Sequence, residues 1–377
     1  MTSSTGENQV TATPEVTATG PESGPGRGRL RSTLLRHALL MLLAFVGIAL
    51  LLESVSAFRA SQLTFMAYLV PAVAGLTVLT GVNGQISLGH GALMAVGAYT
   101  TALLLEHAPG LPFLVVLLLA VLAASLVGVA VGAAASRLHG PYLAGATLAL
   151  AVGLPGVALF YEEELGGEQG LRVSPPRPSE AVENAAFFLT GNDLTTGKYL
   201  GYVGWALALV VLLLLSNLVR SRYGRIWRAV RDDEVAAELA GINLGRARIL
   251  AFVVSAACAG VGGCLLAVIT RLSAPTSFTL VLSISLLVAI VIGGLGSLLG
   301  AVLGSTLLVF LAPAVTNLGR ANGLSDAQAA NVAPLVYGLV LIGVMLAAPQ
   351  GVVGTIRARV LGARASRRSR AAAAPRA

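Results

Sequence analysis

Polar and apolar positions along the chain do not alternate with the short periods of a soluble helix or strand. They segregate into long apolar runs separated by shorter polar stretches. Each run is about twenty residues, the length an α-helix needs to cross roughly 30 Å of hydrocarbon. The runs predict spans at Leu34–Leu52, Gln62–Thr80, Ile86–Leu105, Leu111–Ala135 and Tyr142–Tyr161. Further spans are predicted at Leu200–Val219, Ile249–Ile269, Phe278–Ile292, Leu298–Leu318 and Val332–Ala347. The expected fold class is all-α integral membrane, with about ten transmembrane helices.

Composition agrees with that pattern. Of 377 residues, 56% are apolar and only 11% charged, against roughly a quarter charged in soluble domains. Residues 1–33, rich in Thr, Ser, Glu, Pro and Gly, cannot bury enough surface to offset their ordering entropy and read as a disordered terminus. They lack the basic-then-apolar order of a signal peptide. The membrane-spanning body is expected over 34–348, with an Arg/Ala-rich tail over 349–377. Cys258 and Cys264 share one apolar run and offer neither a disulfide framework nor a metal spacing. They read as small apolar packing residues, and with four scattered histidines no metal site is expected.

The net charge of +8 changes the picture through its placement. Arginines cluster beside the apolar runs, as expected for cytoplasmic loops. With ten spans and both termini cytoplasmic, only Arg59, Arg172, Arg177, Lys198, Arg271 and Arg320 of the 25 basic residues fall outside. A nucleic-acid partner is excluded by the absence of a soluble basic domain with interleaved aromatics. The connection between the fifth and sixth spans, 162–199, divides the chain into five and five. An odd number per half inverts the second half, the layout of inverted-repeat transporters. Each half carries a glycine-dense segment, Gly81 through Gly97 in the first and Gly293, Gly294, Gly296, Gly300 and Gly304 in the second.

Two segments hold the candidate chemistry. In the first, Asn83, Gln85, Ser87 and His90 stand among Gly81, Gly84, Gly89 and Gly91. Polar side chains at membrane depth are costly unless they face a partner or a wet cavity. Glycines let the backbone leave the helix or let another helix approach. A broken stretch lining a pathway and a tight turn followed by a packing face both remain open. Gly293, Gly294 and Gly296 are expected to join the same pathway. The second segment is the loop 220–248. Val235, Leu239 and Ile242, with Ala236 and Ala240, fit a short amphipathic helix started by Asp232 or Asp233 and ended by Gly241. Docking into another protein's groove and lying on lipid headgroups are equally open readings.

Six short stretches then bear a resemblance. Gly84-Gln85-Ile86-Ser87-Leu88-Gly89-His90-Gly91-Ala92, ending in Gly97-Ala98-Tyr99, resembles the signature of LivM-type permeases of branched-chain amino-acid ABC importers. Gly224 to Arg248, containing Ala236-Ala237-Glu238-Leu239-Ala240-Gly241-Ile242-Asn243, is similar to that family's ATPase-docking loop. Tyr142 to Ala149, Gly166 to Leu171, Gly293 to Gly300 and Pro349-Gln350-Gly351 follow in the family's order. Gly166-Gly167-Glu168 departs from the Thr-Gly-Gly pattern of the family, and the two termini match nothing in it. The resemblance implies a subunit that translocates branched-chain or related amino acids across the cytoplasmic membrane. Its implied partners are a second, LivH-like permease, two cytosolic ATPases and an extracytoplasmic binding protein. Arg231, Asp232, Asp233, Glu234, Glu238, Ala240 and Gly241 are the implied docking residues.

The chain itself is not expected to be an enzyme or to carry a cofactor. A phosphate-binding loop needs Gly, four residues, then Gly-Lys-Ser/Thr. The single lysine, Lys198, follows Gly197 but precedes Tyr199. ATP hydrolysis is expected from another chain. A free-standing secondary transporter or channel is the alternative. It usually needs an ionisable residue mid-helix, and His90 is the main candidate.

Overall fold

A computed structural model describes residues 27–138, 141–190, 193–348, 351–356 and 359. The chain divides into two compact units, Met1–Leu40 and Met41–Ala377. In the first unit the described residues, 27–40, are helical. Helix α1 runs Arg27–Ser54, so it starts inside the stretch expected to be disordered. Between Gly28 and Gly47 no glycine or proline interrupts it, and a propagating helix stops only where something breaks it. Residues 1–26 of the expected disordered terminus, and most of the 349–377 tail, lie outside the described residues.

The second unit is a helical bundle. After α1 come α2 (Ala57–Leu76), α3 (His90–His107), α4 (Phe113–Ala135), α5 (Pro141–Phe160), α6 (Glu162–Leu165) and α7 (Glu180–Thr190). Then follow α8 (Thr196–Arg220), α9 (Arg222–Asp232), α10 (Glu234–Leu239), α11 (Leu244–Thr270), α12 (Leu280–Gly293), α13 (Leu298–Ala321) and α14 (Asp326–Ala347). Among the described residues, seven helices are long and apolar enough to cross a membrane, on α2, α4, α5, α8, α11, α12 and α13. The three other expected spans fall on α1, α3 and α14, helices less apolar or less fully described.

Helices α2 and α11 are the most buried of the seven, whereas α4, α5 and α13 turn most of their surface outward. Lipid gives helices no hydrophobic reason to associate, so close backbone approach through small residues must hold the bundle together. The centre is built that way. A Cβ at Gly263 of α11 would fall 1.9 Å from the carbonyl oxygen of Met94 on α3, and one at Gly97 would fall 2.6 Å from that of Gly260. Cys258 packs against Gly75 of α2, and both cysteines are free and buried.

At one end, two short strands close the connection between the halves. β1 (Leu171–Arg172) pairs antiparallel with β2 (Leu272–Ser273), Leu171 opposite Ser273. The Val173 amide extends the ladder to the Arg271 carbonyl at 3.0 Å. The polar connection expected over 162–199 is therefore not a free loop; it contains α6, α7 and this strand.

Candidate functional site

At the opposite end of α2 the helix widens. Thr77–Val82 forms a π-helical turn, an arrangement frequent at functional sites because it disturbs the regular hydrogen-bond ladder. The Asn83 amide reaches back to Val78 and the Gln85 amide to Leu79. Gly84 then adopts φ +82°, a left-handed conformation that a Cβ disfavours. The expected third span therefore does not begin at Ile86. The Leu88 amide leaves the helix ladder and donates to Thr147 Oγ1 on α5 at 3.0 Å. Helix α3 starts only at His90, and its Gly91 amide donates to Ser283 Oγ on α12 at 3.0 Å. Cross-helix hydroxyls serve two amides at the start of α3.

The sequence-selected polar residues divide by environment. His90 is fully buried, and its Nε2–H donates to the Ala72 carbonyl at 2.9 Å. In the neutral ring that leaves Nδ1 to accept from Ser255 Oγ of α11, 3.5 Å away. His90 thus bridges α2, α3 and α11. Ser87 is buried and accepts from the Gly89 amide. Asn83 and Gln85 are also buried, but both polar atoms of each side-chain amide lack a hydrogen-bond partner among the described residues.

The two glycine-dense segments meet at this end. A Cβ at Gly81 would lie 2.1 Å from the Gly296 nitrogen, and within the second segment one at Gly293 would lie 2.0 Å from the Gly300 carbonyl oxygen. Gly294 and Gly296 both have positive φ. Gly351 seats directly on Gly294; its neighbours Pro349 and Gln350, part of the same sequence match, lie outside the described residues. The chain thus crosses itself backbone to backbone at the α2–α3 and α12–α13 breaks.

The arginine-rich loop reaches the same junction. Arg231, the last but one residue of α9, donates from Nη1 to the Gly81 carbonyl at 2.8 Å. Asp233, one of the two residues the spacing offers, caps α10 by accepting from the Ala236 amide at 3.0 Å, and Gly241 follows the end of α10 at φ +83°. The two large apolar residues of α10 do not face the bundle, although Ile242 of the predicted apolar face packs against the core. Ala237 is buried, while Val235 and Leu239 are 68% and 85% exposed. Asp232, Asp233, Glu234, Glu238, Ala240 and Gly241 are exposed beside them. Of the seven selected loop residues, only Arg231 reaches the glycine junction.

Sequence reasoning did not single out Arg248, Thr147, Ser283 or Ser255. The Arg248 side chain is nearly inaccessible; it pairs with Glu234 at 2.6 Å and donates toward the Ser136 carbonyl. No spacing rule joins residues so far apart in sequence, although two arginines, Arg246 and Arg248, inside the first turns of an apolar helix were a usable signal.

The family described as "Branched-chain amino acid transport system / permease component" matches residues 59–348. The chain belongs to that family. It is a multi-pass membrane protein of the permease class. The LivM permease protein of a high-affinity branched-chain amino acid transport system is 34% identical over 248 residues, in Salmonella typhimurium strain LT2 and in Escherichia coli strain K12. That match covers 62% of this chain and 58% of the relative, so the permease spans somewhat under two thirds of the LivM proteins it matches. The BraD permease protein of Pseudomonas aeruginosa is 28% identical over 290 residues, covering 74% of this chain and 89% of BraD. LivH of Salmonella typhimurium is 28% identical over 292 residues, with the same coverage. No solved structure matches the chain.

Proposed function

We propose that this permease is the membrane-spanning subunit of an importer for branched-chain or related amino acids, powered by ATP hydrolysed on separate chains. The carrying observation is α10: an apolar pair, Val235 and Leu239, presented to the outside on a helix capped by Asp233 and anchored by the Glu234–Arg248 pair. Exposed apolar side chains on an anchored helix favour a protein groove over a headgroup layer, because acidic Asp232, Asp233, Glu234 and Glu238 surround them and would repel anionic lipid. The partners in this reading are two cytosolic ATPases, a second permease and an extracytoplasmic binding protein. Both termini and α10 lie on the cytoplasmic side, with α7 and the β1–β2 pair outside.

The ten-span, inverted-repeat layout belongs to the same proposal, with 34–348 as the spanning body. Its support is the pair of central helices. α2 and α11 are each the second of five long helices, they are the two most buried of the seven membrane-length helices, and each precedes a shorter helix. The glycine-dense segments do not contribute, because they meet at one end instead of lying at opposite ends. Asn83, Gln85, Ser87, Gly293, Gly294 and Gly296 are proposed to form the inner mouth of the pathway, with His90 bracing it.

The test is gentle extraction of a tagged chain followed by mass spectrometry of its companions, together with amino-acid uptake. A Walker-type ATPase and a second permease in near-equal amounts are expected, and Leu239→Asp is expected to release the ATPase while the chain stays inserted. Recovery of the chain alone, still moving solute down an ion gradient in liposomes, would replace this reading with a secondary transporter.

A further inference from the structure

We infer that Arg231 acts as a latch on the inner gate: it positions the glycine junction shut and is not itself a docking contact. This role rests on the transport reading above, and the measurement below separates the two. Arg231 leaves the exposed loop and turns toward the bundle. Its Nη1 donates to the Gly81 carbonyl at 2.8 Å. Its Nε and Nη2 donate to Asp232 Oδ1 at 3.0 and 2.8 Å, which fixes the plane of the guanidinium. Its aliphatic stem fills the space that side chains would need at the break: a Cβ at Gly84 would lie 2.7 Å from Arg231 Cγ. Nη1 also lies 4.0 Å from the Cβ position of Gly296. One side chain thus closes over both breaks.

The chemistry of that contact suits a latch. Gly81 sits in the last turn of the π-helical segment, where helix carbonyls lack in-helix partners and carry the negative end of the dipole. A guanidinium satisfies such a carbonyl with a charge-assisted bond. The bond is single, partly accessible to water, and made to backbone, so it can be broken without leaving a buried charge. Mechanical access is short. Arg231 precedes the Asp233 cap of α10 by two residues, and α9 is pinned by buried Trp227, so displacement of α10 reaches Arg231 first.

What lies beside the latch gives it a purpose. Asn83 and Gln85, flanking Gly84, hold buried amides without partners among the described residues. When the Gly81 contact releases, Gly84 and the polar side chains flanking it become open to solvent or to a polar solute.

The test uses the full chain in inside-out membrane vesicles with its companion subunits. Ser87→Cys serves as reporter in a Cys258→Ala background that keeps buried Cys264, and labelling by a membrane-impermeant maleimide is followed at each cysteine. Arg231→Gln is expected to raise Ser87→Cys labelling several-fold without raising that of Cys264. Arg231→Lys, which keeps one charged donor, is expected to fall between, and Arg222→Gln to match the parent. Unchanged Ser87→Cys labelling in Arg231→Gln at normal membrane level overturns the latch. So does a parallel rise at Cys264, which would report general loosening. If the unsubstituted complex imports no amino acid while Arg231→Gln still accelerates reporter labelling, the transport reading falls and the latch stands.

Discussion

The indole nitrogen of Trp227 donates to the Ala247 carbonyl at 3.0 Å, joining α9 to the first turns of α11. Trp227 is among the largest fully buried side chains of the permease. Gly224, one turn earlier, presses so closely on Val219 that a Cβ there would lie 1.9 Å from its carbonyl oxygen. The loop that presents α10 is therefore seated on the bundle by one aromatic anchor.

Trp227→Ala should remove that seat. Deleting a buried tryptophan costs about 3–5 kcal/mol, whereas Trp227→Phe loses the hydrogen bond and part of the ring, about 1–2 kcal/mol. Thermal unfolding of the purified chain in detergent should follow that order. Equal, small shifts for both variants would show that α9 is held elsewhere.

Gly263 and Gly153 make a matched pair. A Cβ at Gly263 would collide with the Met94 backbone at 1.9 Å, while at Gly153 on outward-facing α5 nothing lies within 4 Å. Gly263→Ala should force α3 and α11 apart and destabilise by about 1–3 kcal/mol. Gly153→Ala should leave the isolated chain unchanged or more stable by about 0.5–1 kcal/mol through helix propensity. Equal melting temperatures for the two would refute the close α3–α11 packing.

Glu53 of α1 accepts from Lys198 Nζ at 2.6 Å and also from the Tyr202 hydroxyl, both on α8. The lysine and glutamate side chains are 25% and 17% exposed, so screening limits the ion pair. Lys198→Met should cost about 1 kcal/mol and lose that effect in high salt. Glu53→Ala removes the acceptor for both donors and should cost about 2 kcal/mol. A larger loss from Lys198→Met than from Glu53→Ala would contradict the geometry.

His90 bridges three helices through Ala72 and Ser255. His90→Ala should destabilise by about 2–4 kcal/mol through the cavity and two lost hydrogen bonds. Uptake by the intact complex should persist when the proton gradient is collapsed and ATP is maintained. Normal stability of His90→Gln combined with gradient-dependent uptake would instead favour an ion-coupled role for this residue.

Much of this permease was legible in one dimension. Helix positions followed from apolar run length, because lipid leaves the backbone no partner except itself. A cap at Asp232 or Asp233 and a terminator at Gly241 followed from local hydrogen-bonding chemistry that needs only neighbouring residues; the structure chose Asp233 and added α9, which the sequence reading had not separated. The late start of α3 was not legible. It depends on Thr147 and Ser283, far along the chain, taking amides that a continuous helix would have used.

Sequence alone also separated Asn83, Gln85 and His90 from the apolar background, but only tertiary structure distinguished them. Burial is similar for all three; Ala72 and Ser255 give the His90 ring hydrogen-bond partners on two other helices, whereas no described residue hydrogen-bonds the side-chain amides of Asn83 and Gln85. Likewise the amphipathic pattern of α10 predicted an apolar face without saying where it points. Side-chain direction on a short helix is set by what its ends are tied to, here Arg248 and the Trp227 anchor. The meeting of Gly81, Gly296 and Arg231 comes from three segments separated by more than sixty residues each. Such contacts are products of helix packing, and no local pattern encodes them.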